Sequence, residues 1–218
     1  MGHYFLKNDY WEEYYLHEHP PLIPSQFAVF AMNEFPDIST VVDIGCGNGR
    51  DAFFFAAHNK RVFGFDGSEA AIEACEQRRG ALGISHISFI NSDVTNLAET
   101  ISPLLENASK QVMLYSRFLI HSLTSDQEVS LIQNVGALLR KTSGIFVVEF
   151  RTVKDSNLRK ETAPHFRRFV DPTHFLNRCE QHGLKSSYFV EGTGFAKYRG
   201  DDAHVARIIL DLDMEVAR

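Results

Sequence analysis

The chain has 218 residues and a mass of 24.7 kDa, enough for one α/β domain with a full core and short for two of ordinary size. With 44% hydrophobic and 23% charged residues it falls among globular proteins and outside the disordered class. A net charge of −6 excludes the global basic footprint of a nucleic-acid binder, and the three scattered cysteines (Cys46, Cys75, Cys179) suit neither a disulfide framework nor a C-x-x-C metal site.

In chain order, residues 1–40 form an aromatic and polar lead-in, with Trp11, Tyr14 and Tyr15 beside Glu12 and Glu13. The opening residues lack the apolar run of a signal peptide, and no stretch approaches the ~18 apolar residues of a membrane span, so a cytoplasmic setting is expected. Ser25 reads as the N-cap of a helix to about Glu34, stopped by Pro36. From residue 41 the rhythm is strand, turn, helix. Strands are expected at 41–44, 61–65, 87–90, 111–115 and 144–150, and helices at 51–58, 68–79, 125–140 and 172–182. The ending differs: 185–190 and 204–213 both read as strands, joined without a helix. These seven strands predict a doubly wound, mainly parallel α/β sheet with helices on both faces, an antiparallel last strand and an antiparallel edge. Residues 1–218 are read as a single domain, with 41–218 as its core.

The first strand runs into Asp43-Ile44-Gly45-Cys46-Gly47-Asn48-Gly49. A strand, a glycine-rich turn and a helix are how α/β folds hold nucleotides, because glycine lets the backbone approach a ligand at a helix N-terminus. A dinucleotide fingerprint requires G-x-G-x-x-G, but counting from Gly45 places Arg50 at the third glycine. That spacing counts against a nicotinamide oxidoreductase. Asp66 ends the second strand, suited to ribose hydroxyls, and Asp93 follows the third, within reach of an adenine amino group with Val94 against the ring. Three strand-end acids suit a cationic sulfonium nucleoside better than a pyrophosphate.

The run 41–57, with Asp66-Gly67-Ser68 and Asn91-Ser92-Asp93, resembles the class I (Rossmann-like) S-adenosylmethionine (SAM)-dependent methyltransferases over about residues 35–215. The resemblance implies SAM as cofactor, with Asp43, Gly45 and Gly47 at its methionine end. It implies Asp66 and Gly67 at the ribose, Asp93 and Val94 at the adenine, and Ser116 beside the sulfonium. The chain departs from many relatives at Phe53–Phe55, where the packing behind the turn is bulkier.

Residues 115–123 lack the Asn/Asp-Pro-Pro-aromatic tetrad of enzymes that methylate exocyclic base amines, which counts against nucleic acid as partner. They resemble uncharacterised methyltransferases associated with cell-surface glycan and small-metabolite loci. His121 is a candidate general base there, and His165 a second. Arg117 is a candidate anion ligand. The stretch 151–168 carries six basic residues (Arg151, Lys154, Arg159, Lys160, Arg167, Arg168) against Asp155 and Glu161, a local positive segment in an acidic chain. Arginine forks bind phosphate and carboxylate, so a small anionic acceptor methylated at oxygen is expected, bound by Arg117, Arg151, Arg167, Arg168 and Tyr198. N- and S-acceptors, and a SAM-binding protein without turnover, stay open. His17, His19, His174 and His204 lack the spacing of a metal helix motif, so no metal is expected. The lead-in is read as a lid helix, with Trp11 or Tyr15 over the sulfonium by cation–π attraction. The protein is expected as a monomer or homodimer.

Overall fold

Binary patterning builds the sheet: along its first strand, Val42 and Ile44 face one hydrophobic cluster while Val41 faces another, as the two-residue period requires. The computed structural model describes residues 7–18, 20–106 and 111–213, so His19 lies outside the described residues. Two helices lead in, α1 (Lys7–His17) and α2 (Gln26–Glu34), the second capped by the Ser25 hydroxyl, which accepts from the Ala28 N–H. Then come β1 (Thr40–Ile44), α3 (Arg50–Ala57), β2 (Arg61–Asp66), α4 (Glu69–Leu82), β3 (Ile87–Asn91), α5 (Leu97–Leu105), β4 (Gln111–Arg117), α6 (Ser125–Lys141) and β5 (Ser143–Arg151). The chain ends with α7 (Pro172–Gln181), β6 (Leu184–Gly192), a two-residue hairpin of β7 (Lys197–Tyr198) and β8 (Asp201–Asp202), and β9 (Val205–Leu212).

The main sheet has seven strands in the order β3-β2-β1-β4-β5-β9-β6, parallel apart from the pairings of β9. The doubly wound, mainly parallel sheet expected from the strand rhythm is present, with its antiparallel last strand and antiparallel edge: β9 inserts between β5 and β6, and β6 forms the edge. Helices α2, α3 and α4 cover one face through Phe27, Phe55 and Ile72, while α5, α6 and α7 cover the other through Ile101, Leu131 and Phe175. Strand order reverses between β1 and β4, so the carboxyl ends of these two strands open the crevice where ligands bind in such sheets.

Helix α5 has no counterpart in the sequence reading. Leu97, Ile101 and Leu105 recur every fourth residue and are all buried, yet Pro103 sits inside the helix and disguises the pattern. No described helix is long and apolar enough to cross a membrane.

Candidate functional site

The turn after β1 is glycine-rich because its backbone requires it. Gly45, Gly47 and Gly49 have φ of 77°, 52° and 75°, where a side chain costs about 1–2 kcal/mol per residue. Neighbours add a second reason: a Cβ on Gly49 would stand 2.8 Å from the Cys75 sulfur, and one on Gly47 would run into the Tyr15 hydroxyl. The turn is tied to β2, since the Gly45 N–H donates to the Phe65 carbonyl at 2.7 Å and the Gly47 N–H to Asp66 Oδ2 at 2.8 Å. Asp66 Oδ1 accepts from the Ser68 N–H at 2.9 Å, so this carboxylate is aimed by the backbone on both sides.

A cavity of about 300 Å³ opens over the turn and is acidic at one end. Asp43, Asp51, Asp66 and Asp93 line it, together with Gly45, Gly47, Gly67 and Val94. Asp51, in the first turn of α3, is an acid that sequence reasoning missed; its carboxylate accepts from the Ser25 N–H and hydroxyl and from the Tyr115 hydroxyl, at 2.7–2.8 Å. Asp43 Oδ2 is buried with no hydrogen-bond partner, and burial, then Asp51 and Asp66, push this carboxyl well above the usual range. A buried carboxylate oxygen without a donor, beside a cradle that excludes every Cβ, fits a ligand bringing its own cationic groups, as SAM does. Asp93 caps the short turn 94–96 through the Thr95 N–H at 2.9 Å, and its other oxygen faces the Gln127 amide at 3.4 Å.

Ser116 is a correction. Strand β4 runs on to Arg117, so Ser116 is still paired with Val148, fully buried, and its hydroxyl donates to the Ile44 carbonyl at 3.0 Å. It is spent inside the sheet and does not line the cavity.

Helix α1 lies over the acidic end, with Trp11, Tyr14 and Tyr15 lining the cavity. Its anchor is Glu12, whose carboxylate accepts from the Ser68 hydroxyl at 2.8 Å and the Ala70 N–H at 2.9 Å. A carboxylate at the start of α4 satisfies an orphan N–H and complements the helix dipole. Glu12→Ala is therefore expected to weaken SAM binding about 3- to 10-fold, the equivalent of about 1 kcal/mol of capping. Calorimetric titration with SAM checks this, and an unchanged Kd would show that α1 does not close over the cofactor.

The far end of the cavity is basic. Arg117, Arg151 and Arg167 line it, with His121, His165 and Tyr198. Most of the positive stretch is neutralised inside the fold. Arg151 is clamped by Asp155 at 2.8 Å and Asp201 at 2.5 Å; Lys160 pairs with Asp155, Lys154 with Glu191 and Arg159 with Glu161. Arg168 is a second correction: its guanidinium pairs with Glu128 behind the cavity, which it does not line. Arg117 shares the buried Glu149 with Arg207 and stacks over the Phe118 ring at 4.0 Å. Phe118, a residue that sequence reasoning missed, has φ of 59°, strain that a bulky side chain carries at the cavity wall. Arg167 is the exception among these cations. Its Nη2 reaches only the Thr162 hydroxyl and the His165 ring, its Nε is buried without a partner, and no described carboxylate pairs with it.

Both histidines are held neutral. Burial first, then Arg151, Arg167, His165 and Arg117, pull His121 well below its ordinary value. Burial likewise lowers His165 to about 4, against a carbonyl hydrogen bond that raises it. His165 also stacks on Tyr10 at 4.2 Å and meets Trp11 edge-on, so α1 touches both ends of the cavity.

The comparisons agree with this arrangement. A family model described as a methyltransferase domain matches residues 37–186, from just before β1 into β6. A SAM-dependent methyltransferase from Anabaena variabilis is 19% identical, with a TM-score of 0.72 over 94% of this chain and 93% of that one. A protein solved in work on conversion of a disulfide bond into a thioacetal group during echinomycin biosynthesis is 18% identical, with a TM-score of 0.70 over 95% and 93%. The CcbJ methyltransferase from Streptomyces caelestis is 14% identical, with a TM-score of 0.67 over 94% and 97%. At such identities these likenesses show the fold. No curated protein matches the chain significantly. With the family model spanning the turn, the acids and the switch point, the chain belongs to the methyltransferase-domain family and is a SAM-dependent methyltransferase of class I fold.

Proposed function

We propose that the enzyme methylates a small anionic acceptor at oxygen, bound at the basic end of the cavity. The observation that carries this is Arg167: it lines the cavity and has no described carboxylate partner, while Arg151, Lys154, Arg159, Lys160 and Arg168 all do. A half-buried guanidinium on the cavity lining with no described carboxylate opposite it can take a carboxylate or phosphate. Burial, with Arg151 nearby, disfavours its charge, so an incoming anion relieves an unmet electrostatic demand.

SAM, when bound, supplies the electrophilic methyl group. The chain positions the acceptor against it and excludes water, the main demands of an in-line displacement at carbon. The end where four Asp residues outnumber Arg50 suits the cationic donor, and at the other end Glu161 and Asp201 are taken up by Arg159 and Arg151, which leaves Arg167 to face the anionic acceptor.

Arg167→Ala is expected to raise acceptor KM about 10- to 100-fold, the loss of one charge-assisted contact, and leave the SAM Kd within about twofold. Arg168→Ala is expected to leave both constants near wild type, because that side chain serves Glu128. Steady-state kinetics with labelled SAM and carboxylic acids or phosphate monoesters measure KM, and calorimetry measures Kd. An Arg167→Ala enzyme with unchanged KM removes the reading.

A further inference from the structure

We infer that this enzyme brings no general base to the acceptor: the acceptor oxygen arrives already ionised, and His121 meets it as an N–H donor. The inference rests on the reading of the acceptor as anionic and goes beyond it, from what binds to how the reaction runs.

Hydrogen-bond bookkeeping fixes both rings. The Arg151 backbone N–H has only a proton to give, and it points at His121 Nδ1 at 3.3 Å. Nδ1 must therefore present its lone pair, and in a neutral imidazole the proton then sits on Nε2. That nitrogen is left for the cavity that His121 lines. A ring in this state donates. To accept a proton it would have to turn over to the other tautomer and lose the Arg151 contact, or become charged beside Arg117, Arg151 and Arg167 in a buried site.

His165 is fixed the other way round. Its Nδ1 lies 2.8 Å from the Ala163 carbonyl, which can only accept, so the proton is on Nδ1. Nε2 keeps its lone pair, but Arg167 Nη2 occupies it at 3.2 Å. The cations facing this ring are Arg167 from its own loop and Arg151 at the end of β5, and both, with burial, disfavour an imidazolium, while Tyr10 and Trp11 from α1 pack against it. The pairing instead aims the guanidinium, which makes His165 a positioning residue.

The carboxylates at this end are committed as well. Asp155 and Asp201 hold Arg151, and Glu161 holds Arg159. Among the described residues, an acceptor hydroxyl at this end would thus find no uncommitted carboxylate or imidazole to take its proton, whereas an oxyanion needs none. The step then balances without proton movement: the new C–O bond forms as the donor C–S bond breaks, and the oxyanion and sulfonium charges cancel to give an ester and a thioether. A donated hydrogen bond from His121 orients the oxyanion without neutralising it, as Arg167 does from its side.

Nitrogen-15 NMR of the full chain, labelled at histidine and saturated with SAM, tests this independently of turnover. His121 and His165 signals are assigned by their loss in His121→Gln and His165→Gln. The expected result at pH 7.5 is a protonated Nε2 on His121 and a protonated Nδ1 on His165, with both rings neutral and His121 charging only well below the ordinary histidine range. A His121 carrying its proton on Nδ1, or titrating near 6.5, overturns the inference.

Kinetics add a second reading. With carboxylic acids and phosphate monoesters as acceptors, kcat/KM is expected to stay flat from pH 6.5 to 9. His121→Gln, which keeps an N–H donor, should stay within about tenfold of wild type, whereas removal of a working base costs about 100- to 10,000-fold. A profile rising tenfold per pH unit, or a His121→Gln collapse with SAM affinity intact, sinks the base-free step. The label's fate separates the two oxyanions: carboxyl methyl esters release labelled methanol in mild alkali, and phosphate methyl esters retain it. Failure of the anionic-acceptor reading looks different, as an Arg167→Ala enzyme with wild-type KM.

Discussion

Gly47→Ala is expected to weaken SAM binding at least 100-fold, about 2.7 kcal/mol, while destabilising the fold by about 1–2 kcal/mol. The two effects have different causes. With φ of 52° at Gly47, any Cβ carries left-handed strain. That part is common to every glycine of this kind, and Gly194, at φ of 84° with nothing within 4 Å of its Cβ, isolates it. The binding loss is specific to the turn. A methyl at Gly47 runs into the Tyr15 hydroxyl, so either α1 lifts from the cavity or the turn shifts. A shifted turn pulls the Gly47 N–H off Asp66 Oδ2 and displaces that carboxylate in the cavity wall. Gly194→Ala should accordingly cost stability alone. Calorimetry with SAM and thermal unfolding on both variants separate the terms, and a Gly47→Ala protein that binds SAM within threefold of wild type would contradict this account of the turn.

The acidic end of the cavity was legible in the sequence because its determinants are local. Gly45, Gly47 and Asp43 lie within one turn of each other, Asp66 ends a strand that patterning alone reveals, and Asp93 follows another by two residues. The basic end of the cavity resisted because charge is resolved only by folding. Arg151 looks free until β8 delivers Asp201 from 50 residues downstream, and Arg168 until α6 delivers Glu128 from 40 residues upstream. Of the six basic residues in 151–168, Arg167 alone is left without a described carboxylate partner, and nothing in its neighbours in sequence marks it out. Ser116 was misplaced for a smaller reason. Taking β4 to end at 115 puts the next side chain in the crevice, while two further paired residues return it to the sheet. Tautomers lay beyond sequence altogether, since they depend on which backbone group each ring meets.

Glu149→Ala is expected to cost about 3–5 kcal/mol of stability by leaving buried cations without a counter-charge. Glu149 is fully buried on β5 and sits between two cross-strand neighbours, Arg117 on β4 and Arg207 on β9. Its oxygens are divided between them, Oε1 to Arg117 Nε at 2.9 Å and Oε2 to Arg207 Nε at 2.6 Å. Without it, two guanidiniums would face one another across a single strand. Arg207 could fall back on the Phe195 carbonyl, which it already meets, and on the faces of Phe27, Phe30 and Phe195. Among the described residues Arg117 would keep the Phe118 ring at 4.0 Å, so it should swing further into the cavity that it already lines. The same substitution should therefore disturb acceptor binding more than SAM binding, because the acidic end draws on β1, β2 and β3. Glu149→Gln keeps the shape and one acceptor but not the charge, and it should recover less than half of the lost stability. Urea unfolding of both variants, with unchanged m-values, gives the numbers. A Glu149→Ala loss below about 1 kcal/mol would mean that the Arg117–Glu149–Arg207 row is no more than a solvated surface network.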